Sequence, residues 1–160
     1  QQVVDLIALR QPMAIYLRET ITALKLSSDL ERIGDLSKNI ANRTLLLNQN
    51  LSKKITDDLI RVSSDVQKQL KMVLDAYSER SSALSTNVWE GDENIDTQTD
   101  ECMQDVVDYL KENEKNLEDG THLLFVAKNI ERIGDHTTNI AEQVCFMVTG
   151  KYLEGDRPKG

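Results

Sequence analysis

The chain has few of the residues that interrupt helices: it contains two prolines and seven glycines in 160 residues, and only 4% of its residues are aromatic. This composition suits long helices and argues against β-sandwiches and barrels. The hydrophobic fraction of 39% and the charged fraction of 29% are ordinary for a chain long enough to bury a substantial core. The composition therefore predicts an all-α protein.

Other absences narrow the range of functions. Cys102 and Cys145 are isolated and form neither a C-x-x-C motif nor a disulfide framework, which favours a reducing cytoplasm. We find no signal peptide and no apolar run near the ~20 residues that cross a bilayer, so we expect no membrane insertion. The net charge of −8 argues against nucleic acid as a direct partner, because its phosphates require clustered Lys and Arg. The surplus of carboxylates suits a cation or a basic protein surface better.

A short segment occurs twice in the chain. The sequence ERIGD spans residues 31–35 and again 131–135, and Asn-Ile-Ala follows each copy after the same gap. The copies lie 100 positions apart, and eight of the fifteen positions in 29–43 are identical in 129–143. A match of this density inside one chain predicts two similar structural units.

The spacing around both copies predicts amphipathic helices. One stripe consists of Leu26, Leu30, Ile33, Ser37, Ile40 and Ala41, and the other of Leu123, Val126, Ile130, Ile133, Thr137, Ile140, Ala141 and Val144. On such a helix Glu31 and Asp35 lie about 40° apart around the axis and nearly opposite the stripe. We therefore expect the carboxylates at or near the surface, where a pair can share one metal ion or bridge two.

Two features distinguish this pair from an ordinary solvated helix face. Like charges four residues apart cost about 0.2–0.5 kcal/mol, yet the pair occurs in both copies. Gly34 and Gly134 each cost about 1 kcal/mol relative to Ala in a helix interior, which indicates a close approach of something to the backbone. The ordinary interpretation stays open, because Arg32 can form a surface ion pair with Asp35 and the second copy repeats this spacing.

Five helical stretches are predicted. They span residues 2–9, 13–47, 54–89, 95–118 and 123–148. The breaks or ends fall at Pro12, Asn48-Gln49-Asn50, Glu90-Gly91, Asp119-Gly120 and Gly150. We expect residues 1–50 to form a first bundle without its N-terminal helix, 51–150 to form a second three-helix bundle, and 151–160 to form a polar tail.

The first bundle is expected to expose apolar side chains. Its long helix has one short neighbour, so Ile21, Leu24, Ile33 and Ile40 are short of partners. We expect a missing N-terminal helix, or another chain, to cover them. We therefore also expect a homo-oligomer, in the simplest case a homodimer.

The motif residues resemble a known family. Similarity to the first repeat of the PhoU family lies in RQPMA at 10–14, DLERIGD at 29–35 and NIA at 39–41. Similarity to its second repeat lies in NIERIGDH at 129–136, NIAE at 139–142 and VTG at 148–150. The resemblance covers essentially the whole chain. It implies two tandem three-helix bundles related by internal duplication, of which the first is incomplete here.

The resemblance implies a negative regulator and not an enzyme. PhoU proteins restrain high-affinity phosphate uptake and the phosphate-starvation response. They act in the cytoplasm at the inner membrane, beside the ATPase subunit of the phosphate ABC transporter and on the partner sensor histidine kinase. Their outer faces bind multinuclear iron or zinc clusters through E(D)-x-x-x-D motifs. We expect the same role, partners and metals for a chain with this resemblance.

Carboxylates are the candidate metal ligands, because hard oxygen donors from two helices suit such a centre. The motif supplies Glu31, Asp35, Glu131 and Asp135, while Asp92 and Asp96 match the family's D-x-x-x-D in the second bundle. Weaker candidates are Asn39, Asp100, Asn139 and Glu142. A helix macrodipole also favours acidic residues at 92 and 96. The chain departs from the family pattern at Ser81, where Asp is common.

Two alternatives stay open. One is a metal-free helical adaptor whose acidic stripes bind a basic partner. The other is a di-metal carboxylate enzyme, which requires E-x-x-H pairs facing a bundle core. His136 lies five residues after Glu131, at an expected surface or rim position, and the carboxylates are expected to point outward. The chain has no Ser-His-Asp order, nucleophile elbow or P-loop, so we expect no enzymatic activity.

Overall fold

A computed structural model describes residues 14–47, 51–112 and 114–153 of the chain. Every regular element within these ranges is a helix, which confirms the predicted all-α class. In chain order the elements are α1 Ala14–Thr44, α2 Lys53–Glu79, α3 Ser82–Glu90, α4 Asp92–Glu112, a 3-10 turn Glu114–Asn116 and α5 Leu117–Thr149. The predicted helix at 2–9, the break at 48–50 and most of the predicted tail lie outside the described residues.

Helix α2 ends earlier than predicted, so the expectation of one helix through residue 89 is wrong. Arg80 adopts a left-handed conformation with φ 53°, and its N–H donates to two carbonyls of the last turn of α2. Ser81 then caps α3, because its Oγ accepts a hydrogen bond from the N–H of Leu84 at 3.3 Å. The serine at which the chain departs from the family pattern therefore has a local role as an N-cap.

The junction between α4 and α5 also differs from the prediction. Asp119 and Gly120 were expected to end a helix, but α4 ends at Glu112 and both residues lie inside α5. Gly120 is buried, and a Cβ added at this position would overlap the Leu110 side chain. Glycine at 120 therefore permits close packing of α5 on α4 and does not form a turn.

Two predicted helix ends are confirmed. Gly91 separates α3 from α4, and its N–H donates to the carbonyl of Asn87 at 3.1 Å. Gly150 ends α5 in a left-handed conformation with φ 75°, and its N–H donates to the carbonyl of Phe146 at 2.9 Å. Glycine adopts this conformation at little cost, because it has no Cβ.

Helix α5 forms the centre of the fold. It packs closely on each of the other helices, whereas α1 packs closely only on α5 within the described residues, and Glu19 of α1 also forms an ion pair with Arg80 at 2.7 Å. All eight residues of the stripe predicted on α5 are buried, including Ile140 and Val144, which have no exposed surface. On α1 the burial is less complete: Leu26 and Ile33 are buried, but Ala41 is exposed. The predicted stripe is therefore confirmed in full on α5 and in part on α1.

The two cysteines are not joined by a disulfide bond. Cys102 and Cys145 are buried free thiols, and burial raises the pKa of Cys102 to about 11. At neutral pH this group is therefore a thiol and not a reactive thiolate. In the part of the chain that the structure describes, no helix is both long and apolar enough to cross a membrane.

Helices α1 and α5 pack antiparallel, and their contacts repeat with the period of the duplication. Near one end of the interface, Thr22 Oγ1 donates to the carbonyl of Gln143 at 3.4 Å. Near the other end, Arg43 Nη1 lies 3.3 Å from His122 Nδ1. Thr22 and His122 occupy equivalent positions of the two repeats, and so do Arg43 and Gln143. A local two-fold relation between the repeats therefore makes the two ends of the interface equivalent.

The duplicated helices differ in what covers their second side. Helix α5 is covered there by α2, α3 and α4, whereas in the described part of the chain no helix other than α5 packs closely against α1, and a cleft separates α1 from α2. Gly134 and Ala141 are therefore buried, while the equivalent Gly34 and Ala41 are exposed. Identical residues thus occupy two different environments.

This difference predicts unequal effects of one substitution at two equivalent positions. Ala141→Leu should lower the free energy of unfolding by about 1–3 kcal/mol, because the larger side chain overpacks a fully buried site. Ala41→Leu should change the same quantity by less than about 0.5 kcal/mol. Urea unfolding followed by circular dichroism measures both values. Equal losses in the two variants would contradict the different burial of the repeats.

Candidate functional site

The first copy of the motif forms an open acidic face on α1. Glu31 and Asp35 are exposed on consecutive turns, and Asn39 is exposed one turn further on. This arrangement confirms that the carboxylates point away from the apolar stripe. A Cβ added to Gly34 would meet nothing within 4 Å, so the close approach expected at this glycine is not found among the described residues.

The second copy is partly covered. Glu131 and Asp135 are partly buried, with 16% of the Glu131 side chain exposed, because the first turn of α4 packs against this part of α5. Gly134 is buried, and a Cβ added there would lie 3.4 Å from Ile95 Cγ2 and 3.8 Å from Asp92 Oδ1. A helix does approach the backbone at this glycine, although a methyl group would still fit. The expectation of an outward-facing pair therefore holds only in part for the second copy.

The structure brings the D-x-x-x-D segment to the second copy, as the resemblance implied. Asp92 is the first residue of α4, has 1% of its surface exposed and lies beside Gly134. Asp96 is half buried on the next turn, whereas Asp100 is exposed. Two helices therefore contribute carboxylates to one region. The first copy has no second helix of this kind within the described ranges.

The weaker candidates are distributed over the same two helices. Asn139 lies one turn after Asp135 on α5 and is half buried, as is Glu142. Asn39 occupies the equivalent position on α1 but is exposed. Asn139 is therefore partly buried like the carboxylates of the second motif, whereas Asn39 lies on the open face of α1.

Lys128 contacts the second copy of the motif and was not predicted from the sequence. Its Nζ donates hydrogen bonds to Glu131 Oε1 at 2.5 Å and to Oε2 at 2.7 Å. The hydrogen bond to Glu131, and the charges of Glu131, Asp135 and Asp100, raise the pKa of Lys128 against the opposing effect of burial. The ammonium group is therefore charged at neutral pH and acts as a built-in cation of the second copy. The equivalent residue of the first copy is Ser28, so comparison of the repeats could have revealed this difference.

A multinuclear metal centre requires several oxygen, nitrogen or sulfur ligands that converge on one place. Carboxylate oxygens are suitable donors, and α4 and α5 both supply them. However, within residues 14–47, 51–112 and 114–153 no group of three or more His, Cys, Asp or Glu side chains is arranged to hold a metal ion. A metal ion at the second copy would have to displace the Lys128 ammonium from Glu131. The iron or zinc sites therefore stay a prediction.

The two histidines lie in the interface between α1 and α5. His136 Nδ1 lies 2.8 Å from Asp29 Oδ1, and both side chains are largely buried. His136 thus contacts α1 and takes no part in an E-x-x-H pair. His122 precedes the helix predicted at 123–148, but α5 begins at Leu117, so His122 lies within the helix and contacts Arg43.

Comparisons with known proteins agree with the motif and the fold. A family model described as "PhoU domain" matches residues 1–44 and 59–144. A "Phosphate-specific transport system accessory protein PhoU homolog" of Caulobacter vibrioides is 45% identical over 155 residues, which are 96% of this chain and 67% of that protein. A protein of the same description from Rhizobium meliloti is 44% identical over 154 residues, 96% of this chain and 65% of that protein.

Two solved structures share the fold. The crystal structure of PhoU from Pseudomonas aeruginosa matches with a TM-score of 0.89 and 32% identity, over 94% of this chain and 72% of that chain. The phosphate transport system regulatory protein PhoU from Streptococcus pneumoniae matches with a TM-score of 0.81 and 27% identity, over 96% of this chain and 72% of that chain. The present chain spans about two thirds of the length of the Caulobacter and Rhizobium relatives.

Proposed function

The chain belongs to the PhoU family, and we propose that it is an accessory protein of a phosphate-specific transport system that restrains phosphate uptake and the phosphate-starvation response. The names of its relatives support the link to phosphate transport. Those names also describe accessory and regulatory proteins, which supports a role without enzymatic activity. The observation that carries the proposal is the open acidic face of α1.

That face is suited to a basic protein surface. Glu31 and Asp35 are exposed, and in the described part of the chain neither forms an ion pair with Lys, Arg or His within 4.0 Å. Among the described residues, therefore, no ion pair offsets their mutual repulsion. Cations on a partner would offset it and would also favour encounter between the two proteins. We assign this surface to the ATPase subunit of the phosphate transporter, at the cytoplasmic side of the inner membrane.

Two further partners belong to the same proposal. The phosphate-sensing histidine kinase is the second protein that the family resemblance implies, and the acidic face of α1 is a surface that it can share with the ATPase. A second copy of the protein is the third partner. Ile15, Tyr16 and Leu24 on α1 each expose more than half of their surface, and covering them would favour a homo-oligomer.

The docking role predicts a loss of binding on neutralisation of the acidic face. In the full-length protein, Glu31→Gln with Asp35→Asn should reduce recovery of the transporter ATPase in a pull-down from cell extract by about tenfold. The matched control is Asp108→Asn with Glu112→Gln, which removes two exposed carboxylates of the same spacing on α4. The control variant should bind like the wild type.

The same two variants should also differ in cells in their effect on the expression of phosphate-scavenging genes. A strain without the gene should express phosphate-scavenging genes in phosphate-rich medium, and the control variant should silence them while the α1 variant should not. If the deletion strain keeps those genes silent and neither partner is recovered, the regulatory role is wrong.

We propose further that the second motif copy binds iron or zinc. Asp92 and Asp96 of α4, and Glu131 and Asp135 of α5, would hold the metal, with Asn139, Glu142 and Asp100 as nearby polar groups. Glu31 and Asp35 would supply the equivalent site on α1. Bound metal would add positive charge to an acidic surface and so alter which partner surfaces it attracts. Lys128 competes for this site, because its ammonium already binds Glu131.

Metal content measured on protein purified without chelator tests this assignment. Glu131→Gln with Asp135→Asn should lower the iron or zinc content while leaving helicity unchanged. Lys128→Ser, which introduces the residue found in the first copy, should raise the metal affinity about tenfold by removing the competing cation. Lys111→Ser is the control, because Lys111 forms an ion pair of the same spacing with Asp108 away from the motif.

A metal-free adaptor is the second candidate function. The contact between Lys128 and Glu131 favours it, because the second copy then has an internal cation that neutralises part of the acidic cluster. If Lys128→Ser and the wild type both contain no iron or zinc, while the Glu31 and Asp35 variant still loses the ATPase, the metal-free adaptor is the better description.

A further inference from the structure

A cleft of about 500 Å³ lies between α1 and α5, one turn beyond the acidic face of α1. Its polar lining includes Asn39, Asn42 and Arg43 of α1 and Asn129 and Arg132 of α5. These residues recur at spacings of three and four along each helix, so each helix contributes one face to the cleft. Asn39, a weaker metal candidate, therefore lines this cleft as well as continuing the acidic face of α1. The cleft combines two guanidinium groups with three amide groups.

Arg43 is held in position by its neighbours. Its guanidinium carbon lies 4.0 Å above the centre of the Phe125 ring, and Nη1 is 3.3 Å from His122 Nδ1. A guanidinium stacked on an aromatic face keeps its in-plane N–H groups available as donors. Its side chain is also less mobile than that of a free surface arginine, so less entropy is lost when a ligand binds.

The arginines of the cleft have no carboxylate partner. Within the described residues, neither Arg43 nor Arg132 forms an ion pair within 4.0 Å, although the chain carries a net charge of −8. The nearest acidic residue along this side of α1 is Asp35, one turn before Asn39, and it does not line the cleft. The cleft is therefore a positive site on an acidic protein.

The duplication supplies an internal comparison. At the other end of the interface, Asp29 stands in the position of Asn129, Glu142 in that of Asn42, and Gln143 in that of Arg43. At that end Lys25 Nζ donates to Gln143 Oε1 at 3.0 Å, and Asp29 Oδ1 lies 2.8 Å from Nδ1 of His136.

The two ends of the interface between α1 and α5 are thus built from equivalent positions, but their side chains differ in charge. Asn42 and Asn129 stand beside Arg43 and Arg132 where the other end has carboxylates, and among the described residues neither arginine forms an ion pair. Amide N–H groups can donate to an anion, whereas carboxylates would repel it.

We propose that this cleft binds a phosphate-type oxyanion, either free inorganic phosphate or the phosphoryl group of a larger molecule. Arginine matches such groups because its N–H donors reach two oxygens at once. Two arginines on different helices and three amides can together reach several oxygens of a tetrahedral group, whereas a carboxylate offers only two. This inference rests on the charge and geometry of the cleft and does not depend on the docking role or on metal binding.

Titration of the ¹⁵N-labelled protein with inorganic phosphate at constant ionic strength tests the proposal. Backbone amide signals of α1 and α5 around the cleft should shift and saturate. Arg43→Gln and Arg132→Gln should each weaken binding about tenfold. The matched control is Arg32→Gln, which removes the same charge from the equivalent position of the other repeat and should leave the affinity unchanged.

A second variant tests the role of the amides. Asn42→Glu with Asn129→Asp copies the carboxylates of the other end and should abolish binding, with circular dichroism confirming an unchanged helix content. A parallel titration with glycerol phosphate distinguishes the sources: binding of both ligands supports free phosphate, and binding of the monoester alone supports a phosphoryl group on a larger molecule. The proposal is overturned if neither ligand gives saturable shifts, or if Arg32→Gln weakens binding as much as Arg132→Gln.

Discussion

Burial of α5 on both of its sides is the constraint on which the rest of the structure depends. One side packs against α1, and the other packs against α2, α3 and α4. Small residues favour the second contact: a Cβ at Gly120 would overlap the Leu110 side chain, whereas Gly134 leaves room for no more than a methyl group beside Ile95. Because interiors are packed to near-crystalline density, larger residues here would push α4 away and would move Asp92 with it. The position of the carboxylates at the second motif copy therefore follows from the packing of this helix.

The same constraint explains which features the sequence could predict. The all-α class and the complete buried stripe of α5 follow from hydrophobic spacing, which is a local property. The break at Arg80 and the burial of Gly120 were not predicted, because capping geometry and close helix contacts decided them and the periodicity did not change there. From the sequence alone, Gly120 predicts a helix end, because glycine is common both in turns and at close helix contacts.

At the candidate site too, local features were predicted from the sequence and contacts between distant elements were not. The outward position of Glu31 and Asp35 was predicted correctly from the angle around one helix. The partial burial of Glu131 and Asp135 could not be predicted in this way, because it depends on the first turn of α4, which lies more than 30 residues away in sequence. The contact of Lys128 was not predicted for another reason: Lys128 is not part of the repeated motif, and the first copy has Ser28 at the equivalent position. Differences between duplicated units mark where their chemistry diverges.

Position around α5 separates the two kinds of site. Glu131 and Arg132 are consecutive, so their side chains leave the helix about 100° apart. Glu131 binds Lys128 on the side near α4, whereas Arg132 lines the cleft against α1. A cation at the carboxylates and an anion at the cleft would therefore contact different flanks of one rigid helix and would not exclude each other sterically. Their opposite charges would attract at this distance, so each bound ion would favour the other to an extent that falls as the salt concentration rises.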